Sequence, residues 1–520
     1  MPFSFFTSEQ ITPLLISSCL LIISIPLFSK NIKASLVLLF LGALGMGYFI
    51  ANLDPFLILW DEQYHALVAK NMLNNPFKPT LFLDPPFDYN YKNWTANHVW
   101  LHKQPLFLWQ IALSIKLFGA NTMAVRLPSI IMHAIIPLFI YRIGNISLTK
   151  KVGYIAALLF AVAYFPLELV AGRYSTDHND LAFLFYVTGS FWAWFEYHQS
   201  NKLKWLILIG IFSGGAVLVK WLMGTLIFVV WFITKTITEP KNIIKIKSYN
   251  HLALASLISI AIFLPWQIYI SLKYPREAFF EYTSTSNHFT AAIEAHSGDF
   301  LFHFTKGLNT LYGSGVLIPF ILLAGFIFML KAIKNKKIKI VIITSICFVY
   351  IFYSIAATKM IAFPIIVMPF LHLGLAYLFY HTLNFIEGKT QHPVLGKTLS
   401  SLILIFILFS TLNLYRIENY HTMKKPHDNH KRAEELLEMD VINKVKASLG
   451  SDYFIVFNVN ITDQGHIPLM FFTQHTAYNY IPTEKQIRQL NAKNKKIAIL
   501  KIKELPNYIT NNPSIKIIEL

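Results

Sequence analysis

The chain has 520 residues, 55% hydrophobic and only 14% charged, with a mean hydropathy of +0.48 and a net charge of +18. Apolar runs of roughly 20 residues, each long enough to cross a hydrocarbon core about 30 Å thick, recur along it, which excludes a soluble globular protein and predicts an all-α polytopic membrane protein. Much of the positive charge sits in short loops between apolar runs, which argues against a nucleic-acid surface, and Cys19 and Cys347 both fall inside apolar segments, which argues against a disulfide framework or a thiolate metal site.

In chain order, the opening MPFSFFTSEQ has neither a basic n-region nor a small-residue cleavage site, so no cleaved signal peptide is expected. About 12 spanning helices are predicted, near 11–29, 34–52, 126–146, 151–171, 179–198, 204–219, 221–237, 251–271, 308–330, 340–357, 361–382 and 398–417. The stretch 105–119 (PLFLWQIALSIKLFG) is apolar, but at about 1.5 Å per residue it reaches only roughly 22 Å. It reads as a helix lying in the membrane interface, with Gln110, Ser114 and Lys116 among its polar residues. One alternate set of loops holds Lys30 and Lys33, Arg142, Lys150 and Lys151, Lys202 and Lys204, Lys241, Lys245 and Lys247, the run Lys331–Lys339, and Lys389 and Lys397. The positive-inside rule makes that set cytoplasmic, which puts both termini, Asp61 and Asp177 on the outside. The expected organisation is an extra N-terminal helix (1–33), a membrane domain (34–418) with a long outside loop at 53–125, and a polar segment 419–520. In that last segment YFIVFNV and KKIAILKI alternate with helix-like stretches, which reads as a small α/β domain on the outer side.

Three stretches stand out from the apolar background: WDEQYHALVAKNML (60–73), HKQPLFLWQIALSIKLFGANTMAVRLPS (102–129) and GRYSTDHNDLAFLFYVTGSFW (172–192). In this order, on one membrane face, they resemble the successive signatures of GT-C membrane glycosyltransferases, and most of all the ArnT-like and protein O-mannosyltransferase superfamily, which uses polyprenyl-phosphate sugars. The resemblance covers roughly 34–385, with a looser match in the tail at IPLMFFTQHTAY. Three departures accompany it. The usual Lys-Pro-Pro-Leu reads Lys103-Gln104-Pro105-Leu106, a helix at 11–29 precedes the first family helix, and Phe363 stands after Lys359 where ArnT-like members often carry Tyr.

What the resemblance implies is sugar transfer from a lipid phosphate. An acceptor hydroxyl must then lose its proton as the anomeric bond breaks, and the resemblance gives Asp61 the role of general base; an acid at a helix start, where the dipole favours it, is the plain alternative. Tyr64 and His65 share its helical face. Glu62 would hold a cation or a substrate hydroxyl, or is a solvated neighbour. Asp177 and Asp180 compete for the second-loop carboxylate, with Asp177 favoured by its spacing to Ser190-Phe191-Trp192; the turn also suits a helix cap. The leaving phosphate needs fixed cations, for which Lys103, Arg173, Lys220 and Lys359 are candidates. Snorkelling is the alternative for Lys220 and Lys359. Glu281, His288 and His296 match loosely the positions of substrate-facing residues. No nucleotide-binding or zincin signature is present, so no obligatory cofactor or metal is expected, with room left for a divalent cation.

The sequence therefore predicts an inverting glycosyltransferase of the bacterial inner membrane, its site and C-terminal domain facing the periplasm. It would take a polyprenyl-phosphate-linked sugar to a lipid, glycan or protein acceptor. The alternative is a polytopic transporter or flippase of a polyprenyl-linked glycan. That reading calls for ionisable residues deep inside helices and for paired broken helices.

Overall fold

Helices begin where the sequence supplies a cap. Thr7 accepts from Gln10 N while the Gln10 side chain accepts from Thr7 N, a capping box ahead of Ser8–Lys30. Asn31 ends that helix and starts Ile32–Ala51, its Oδ1 accepting from Ala34 N at 3.1 Å. The computed structural model describes residues 6–173, 178–313, 315–389, 392–417 and 432–520. It resolves into two units, Met1–Leu53 with Ser129–Glu418 and Asp54–Pro128 with Asn419–Leu520.

The first unit is helical. Among the described residues, eight helical runs of the chain are long and apolar enough to cross a membrane, nine if Lys150–Ala161 and Tyr164–Val170, bent by 50°, form one span. The twelve expected positions all carry helix, and the difference in count has local causes. Asp180–Ser200 is 21 residues long, but its acids and Tyr and Trp residues keep it out of that count. The stretch 308–330 breaks at Gly313, whose φ of 128° suits glycine, leaving Leu308–Tyr312 and the short Ile318–Ala332. Leu203–Lys220 and Leu226–Thr238 are joined by the 3₁₀ turn Trp221–Thr225, and the chain folds back there: Ser213 Oγ donates to Gly224 O at 2.9 Å. Leu203–Thr238 enters the eight as one run of 36 residues, where two spans were expected. Elsewhere backbones touch through small residues, as membrane helices do. A Cβ on Gly325 would lie 2.7 Å from Gly374 O, where Ile318–Ala332 crosses Met368–Lys389.

The second unit carries a four-stranded parallel sheet, β1 (Ile455–Phe457), β2 (Thr476–Ala477), β3 (Ile497–Lys501) and β4 (Ile515–Glu519), in the order β2-β1-β3-β4. Ile455 pairs with Ile497 and Ile497 with Ile515. The central strands are buried throughout their apolar runs, the pattern of a parallel sheet covered on both faces. The same core takes in Tyr64, Leu67 and Val68 from the helix Asp61–Asn71 and Leu108 from the helix Pro105–Phe118. Pro105–Phe118 has 14 residues, about 21 Å. It exposes Leu113, Leu117 and Phe118, an apolar face suited to a membrane interface.

Candidate active site

In the second unit, Asp61 opens the helix Asp61–Asn71, and its Oδ1 lies 3.4 Å from Lys103 Nζ, both groups partly exposed. Trp60, just before it, has φ 73° and ψ −114°, a conformation a bulky residue adopts only when its surroundings force it. What forces it is visible on either side. Arg126, fully buried, donates from Nε and Nη2 to the two Glu62 oxygens at 2.7 and 3.0 Å. It also donates to Asp54 O and Phe56 O, both at 2.7 Å, while Ile58 N donates to Glu62 Oε2 at 2.7 Å. Segment 54–58 is thus pinned to the first turn of the helix, and Trp60 absorbs the mismatch. An aromatic group flanks the pair: Trp60 lies 6.1 Å from Trp94, on which His102 stacks at 4.5 Å.

The neighbours of Asp61 look inward. Glu62 is engaged by Arg126; Tyr64 is in the core with Oη donating to Gln464 Oε1 at 2.7 Å; His65 is buried against Trp100 and Phe107. Burial pushes the Tyr64 phenol well up. A second acidic pair lies close by. Glu435 and Glu438, both buried in Arg432–Leu449, share a hydrogen bond, and Gln63 Nε2 lies 3.5 Å from Glu435 Oε2. Thr462 donates to Glu438 Oε1 at 3.0 Å, and Gly465 has no side chain to clash there, since a Cβ would sit 2.5 Å from that oxygen. Burial, and for Glu435 also the charge of Glu438, raises both carboxyls, Glu438 to about 7.

In the first unit, Asp180 starts Asp180–Ser200 and Lys220 ends Leu203–Lys220, with Nζ to Oδ1 at 2.5 Å. Asn179 Nδ2 donates to Val219 O at 3.2 Å and ties the same two helix ends. Lys220 also lies 5.3 Å from the Phe363 ring, which stacks on Tyr353 at 4.6 Å. Trp221, the next residue, has φ 59° and ψ −165°. Arg173 is fully buried; Asp177 lies outside the described residues.

Lys359 is placed otherwise than a free cation would be. Its Nζ donates to Tyr353 O at 3.0 Å, Ser354 O at 2.6 Å and Ala356 O, all at the end of Lys336–Ile355, so it caps that helix. Burial lowers its proton affinity, with Asp299 opposing. Residues 357–359 pair with the last turn of Pro275–Thr290 and the loop after it: Thr358 N donates to His288 O and Lys359 N to His296 O. Glu294 and Ala295, just ahead of His296, both have positive φ. His303 is buried, and burial followed by the charge of Lys359 brings it down to about 4.

Sequence reasoning singled out Asp61, Lys103, Asp180 and Lys220, and these meet in two ion pairs, one in each unit. It missed Arg126, a basic residue in an apolar helix, although an intramembrane-looking Arg is itself a signal. It also missed the three unusual backbones next to Asp61, Lys220 and His296, which propensity does not disclose. Among the described residues, no group of three or more His, Cys, Asp or Glu is arranged to hold a metal ion.

Residues 102–269 match the family model of dolichyl-phosphate-mannose-protein mannosyltransferases. A protein of Aquifex aeolicus (strain VF5), described only as uncharacterized, is 25% identical over 388 residues, 71% of this chain and 70% of its own. ArnT from Cupriavidus metallidurans, in a crystal structure bound to undecaprenyl phosphate, superposes with a TM-score of 0.63 at 13% identity, over 88% of this chain and 87% of that one. The archaeal oligosaccharyltransferase AglB from Archaeoglobus fulgidus, in complex with an inhibitory peptide and a dolichol-phosphate, superposes with a TM-score of 0.54 at 11% identity. That match covers 88% of this chain and 65% of the other.

Proposed function

We propose that this chain, which has the GT-C fold, is a member of the ArnT-like and protein O-mannosyltransferase superfamily and an inverting glycosyltransferase that moves a sugar from a polyprenyl-phosphate donor to a lipid, glycan or protein acceptor. The lipid carrier is supported by the ligands of the two similar structures, undecaprenyl phosphate in ArnT and dolichol-phosphate in AglB. The outer face of a bacterial inner membrane is supported by the alternation of lysine-rich loops. A lipid donor suits that face, where nucleotide sugars are not normally supplied.

The observation that carries the reading is the Asp61–Lys103 pair at a helix start held in an unfavourable backbone conformation. In the reaction we assign to it, an acceptor hydroxyl oxygen attacks the anomeric carbon on the face opposite the phosphate. The bond from that carbon to the phosphate oxygen breaks, and the electron pair leaves on the polyprenyl phosphate. An Asp61 oxygen takes the hydroxyl proton, work worth roughly 10²–10⁴-fold. Lys103 would divide its protons between Asp61 and the phosphate, so that charge moving onto the leaving group draws the ammonium toward it. We also propose a phosphate-binding role for Lys220, with Asp180 holding its Nζ, and for Arg173, and Asp177 keeps its proposed role with acceptor or sugar hydroxyls. Glu62 acts as a positioning residue, fixing with Arg126 the turn that presents Asp61. Tyr64 orients the same helix from the core. Lys359 and His296 fix a loop through backbone bonds, a role we propose in place of direct phosphate contact for Lys359.

The test is comparative mass spectrometry of lipid, glycan and protein fractions from cells with and without the gene. One fraction gaining the mass of a single sugar residue only when the gene is present supports transfer. Fractions of identical composition that differ only in which leaflet holds a polyprenyl-linked glycan would point to transport and overturn the reading.

A further inference from the structure

The second unit contains a cavity of about 760 Å³ at the amino ends of its strands, framed by Lys70, Tyr453, Phe472, Lys446, Lys495 and Asp84. It lies at the edge opposite the carboxyl ends, where open α/β sheets usually bind ligands, so the fold alone does not account for it. Its size is within the range of about 300–1,000 Å³ typical of small-molecule sites.

Its electrostatics are unbalanced. Three ammonium groups face one carboxylate, and that carboxylate is already used: Lys495 Nζ sits 2.6 Å from Asp84 Oδ2. Lys70 directs its three protons at Met470 O, Phe471 O and Thr473 O, at 2.8, 2.8 and 2.5 Å. The Lys446 ammonium has no ion pair or hydrogen bond among the described residues; it stands 5.6 Å from the Phe472 ring. Lys70 is brought down to about 8, first by burial and then by the charge of Lys446, so the two ammonium groups repel each other across the cavity. A bound anion would relieve that repulsion. The rest of the lining is suited to hydroxyls and sugar faces: the rings of Tyr453 and Phe472, and Thr476, whose Oγ1 is 2.6 Å from Tyr453 Oη.

We propose that this cavity binds a phosphorylated saccharide, with the Lys446 ammonium on the phosphate and the Tyr453 and Phe472 rings against the sugar. The proposal is independent of the transferase reading, since none of these residues is assigned to the transfer reaction. A soluble sugar phosphate and a lipid with a phosphorylated cyclitol or sugar headgroup present the same chemistry.

The experiment is calorimetric titration of the full chain in zwitterionic nanodiscs with glucose 6-phosphate, whose free anomeric carbon does not mimic the donor, beside glucose and inorganic phosphate. Glucose 6-phosphate is expected to bind about tenfold or more tightly than either fragment. Lys446→Gln should weaken it by about tenfold, the cost of one charge-assisted hydrogen bond, while the exposed Lys444→Gln on the same helix leaves it unchanged. A second arm adds phosphatidylinositol 4-phosphate to the nanodiscs. Competition in the wild type that Lys446→Gln abolishes assigns the cavity to a lipid headgroup, and undiminished glucose 6-phosphate binding assigns it to a soluble ligand. Lys446 is exposed, so the variant should fold, and an unchanged melting temperature verifies this. No saturable glucose 6-phosphate binding, equal binding by Lys446→Gln, or inorganic phosphate binding as tightly as the sugar phosphate would each overturn the proposal.

Discussion

Replacing Arg126 by Ala removes one of the groups that hold segment 54–58 against the helix Asp61–Asn71, beside the bonds from Ile58 N to Glu62 and from Gln63 Nε2 to Leu57 O. Its guanidinium and the Glu62 carboxylate are both fully buried, and its hydrogen bonds to Glu62, Asp54 O and Phe56 O are 2.7 to 3.0 Å long. Without it, Glu62 keeps the bond from Ile58 N but loses the buried guanidinium, and Asp54 O and Phe56 O lose the bonds it donates. Removing one partner of a buried pair costs about 3–5 kcal/mol, because the remaining charge is left uncompensated. For a unit of this size each kcal/mol moves the melting temperature by about 2–4 °C, so a drop of about 6–20 °C is expected. Trp94 and Trp100 lie in the same unit and report its melting by fluorescence. The double variant Arg126→Met with Glu62→Gln, which leaves no charge behind, should recover about half of the loss or more. Transfer should stay low in the double variant, since the turn that presents Asp61 is no longer pinned. Melting of Arg126→Ala within about 1 °C of the wild type would refute the reasoning.

Three further outcomes follow from the same geometry. Lys103→Ala should weaken binding of a donor analogue by about 1–3 kcal/mol relative to Lys116→Ala, an interfacial lysine used as control; equal affinities would remove Lys103 from the phosphate. Lys220→Ala should cost more transfer than Lys220→Arg and should be improved by adding Asp180→Asn, because the single variant takes the ammonium away from a buried carboxylate; a double variant worse than the single would contradict this, read as turnover per folded molecule. Glu438 is protonated more readily in the fold, at about 7, than in the unfolded chain, at about 4.5, so its contribution to stability is full at low pH and declines as pH rises from about 4.5 to about 7. Glu438→Gln should flatten the stability profile over that window and gain up to about 3 kcal/mol at pH 8, measured by denaturant unfolding at each pH.

The membrane architecture was legible because hydrocarbon imposes one pattern, long apolar helices, and leaves little else for the chain to do. Each expected span carries helix, and the strands β1 and β3 lie inside YFIVFNV and KKIAILKI. Strands β2 and β4 were not legible. β2 has two residues, and β4 lies in a terminal stretch, SIKIIEL, where lysine interrupts the apolar run. The grouping of 54–128 with 419–520 rests on side chains distant in sequence, such as Tyr64 with Gln464, and no local rule reports such partners. In the candidate site, Asp61 and Lys103 could be picked out as charges in a greasy chain. Glu62 looked equally available, and only its pairing with Arg126 shows that its charge is already committed. Lys359 likewise looked like a costly buried cation, and three carbonyls account for it.

The central claim is that Asp61 takes the acceptor proton while a polyprenyl phosphate leaves. It is tested most directly by measuring release of polyprenyl phosphate from a panel of synthetic polyprenyl-phosphate sugars. The purified protein in nanodiscs is supplied with an envelope extract as acceptor, and wild type is compared with Asp61→Asn. The account predicts release coupled to sugar incorporation by the wild type, and a loss of at least about two orders of magnitude in Asp61→Asn at unchanged melting temperature. Turnover by Asp61→Asn close to that of the wild type would contradict it.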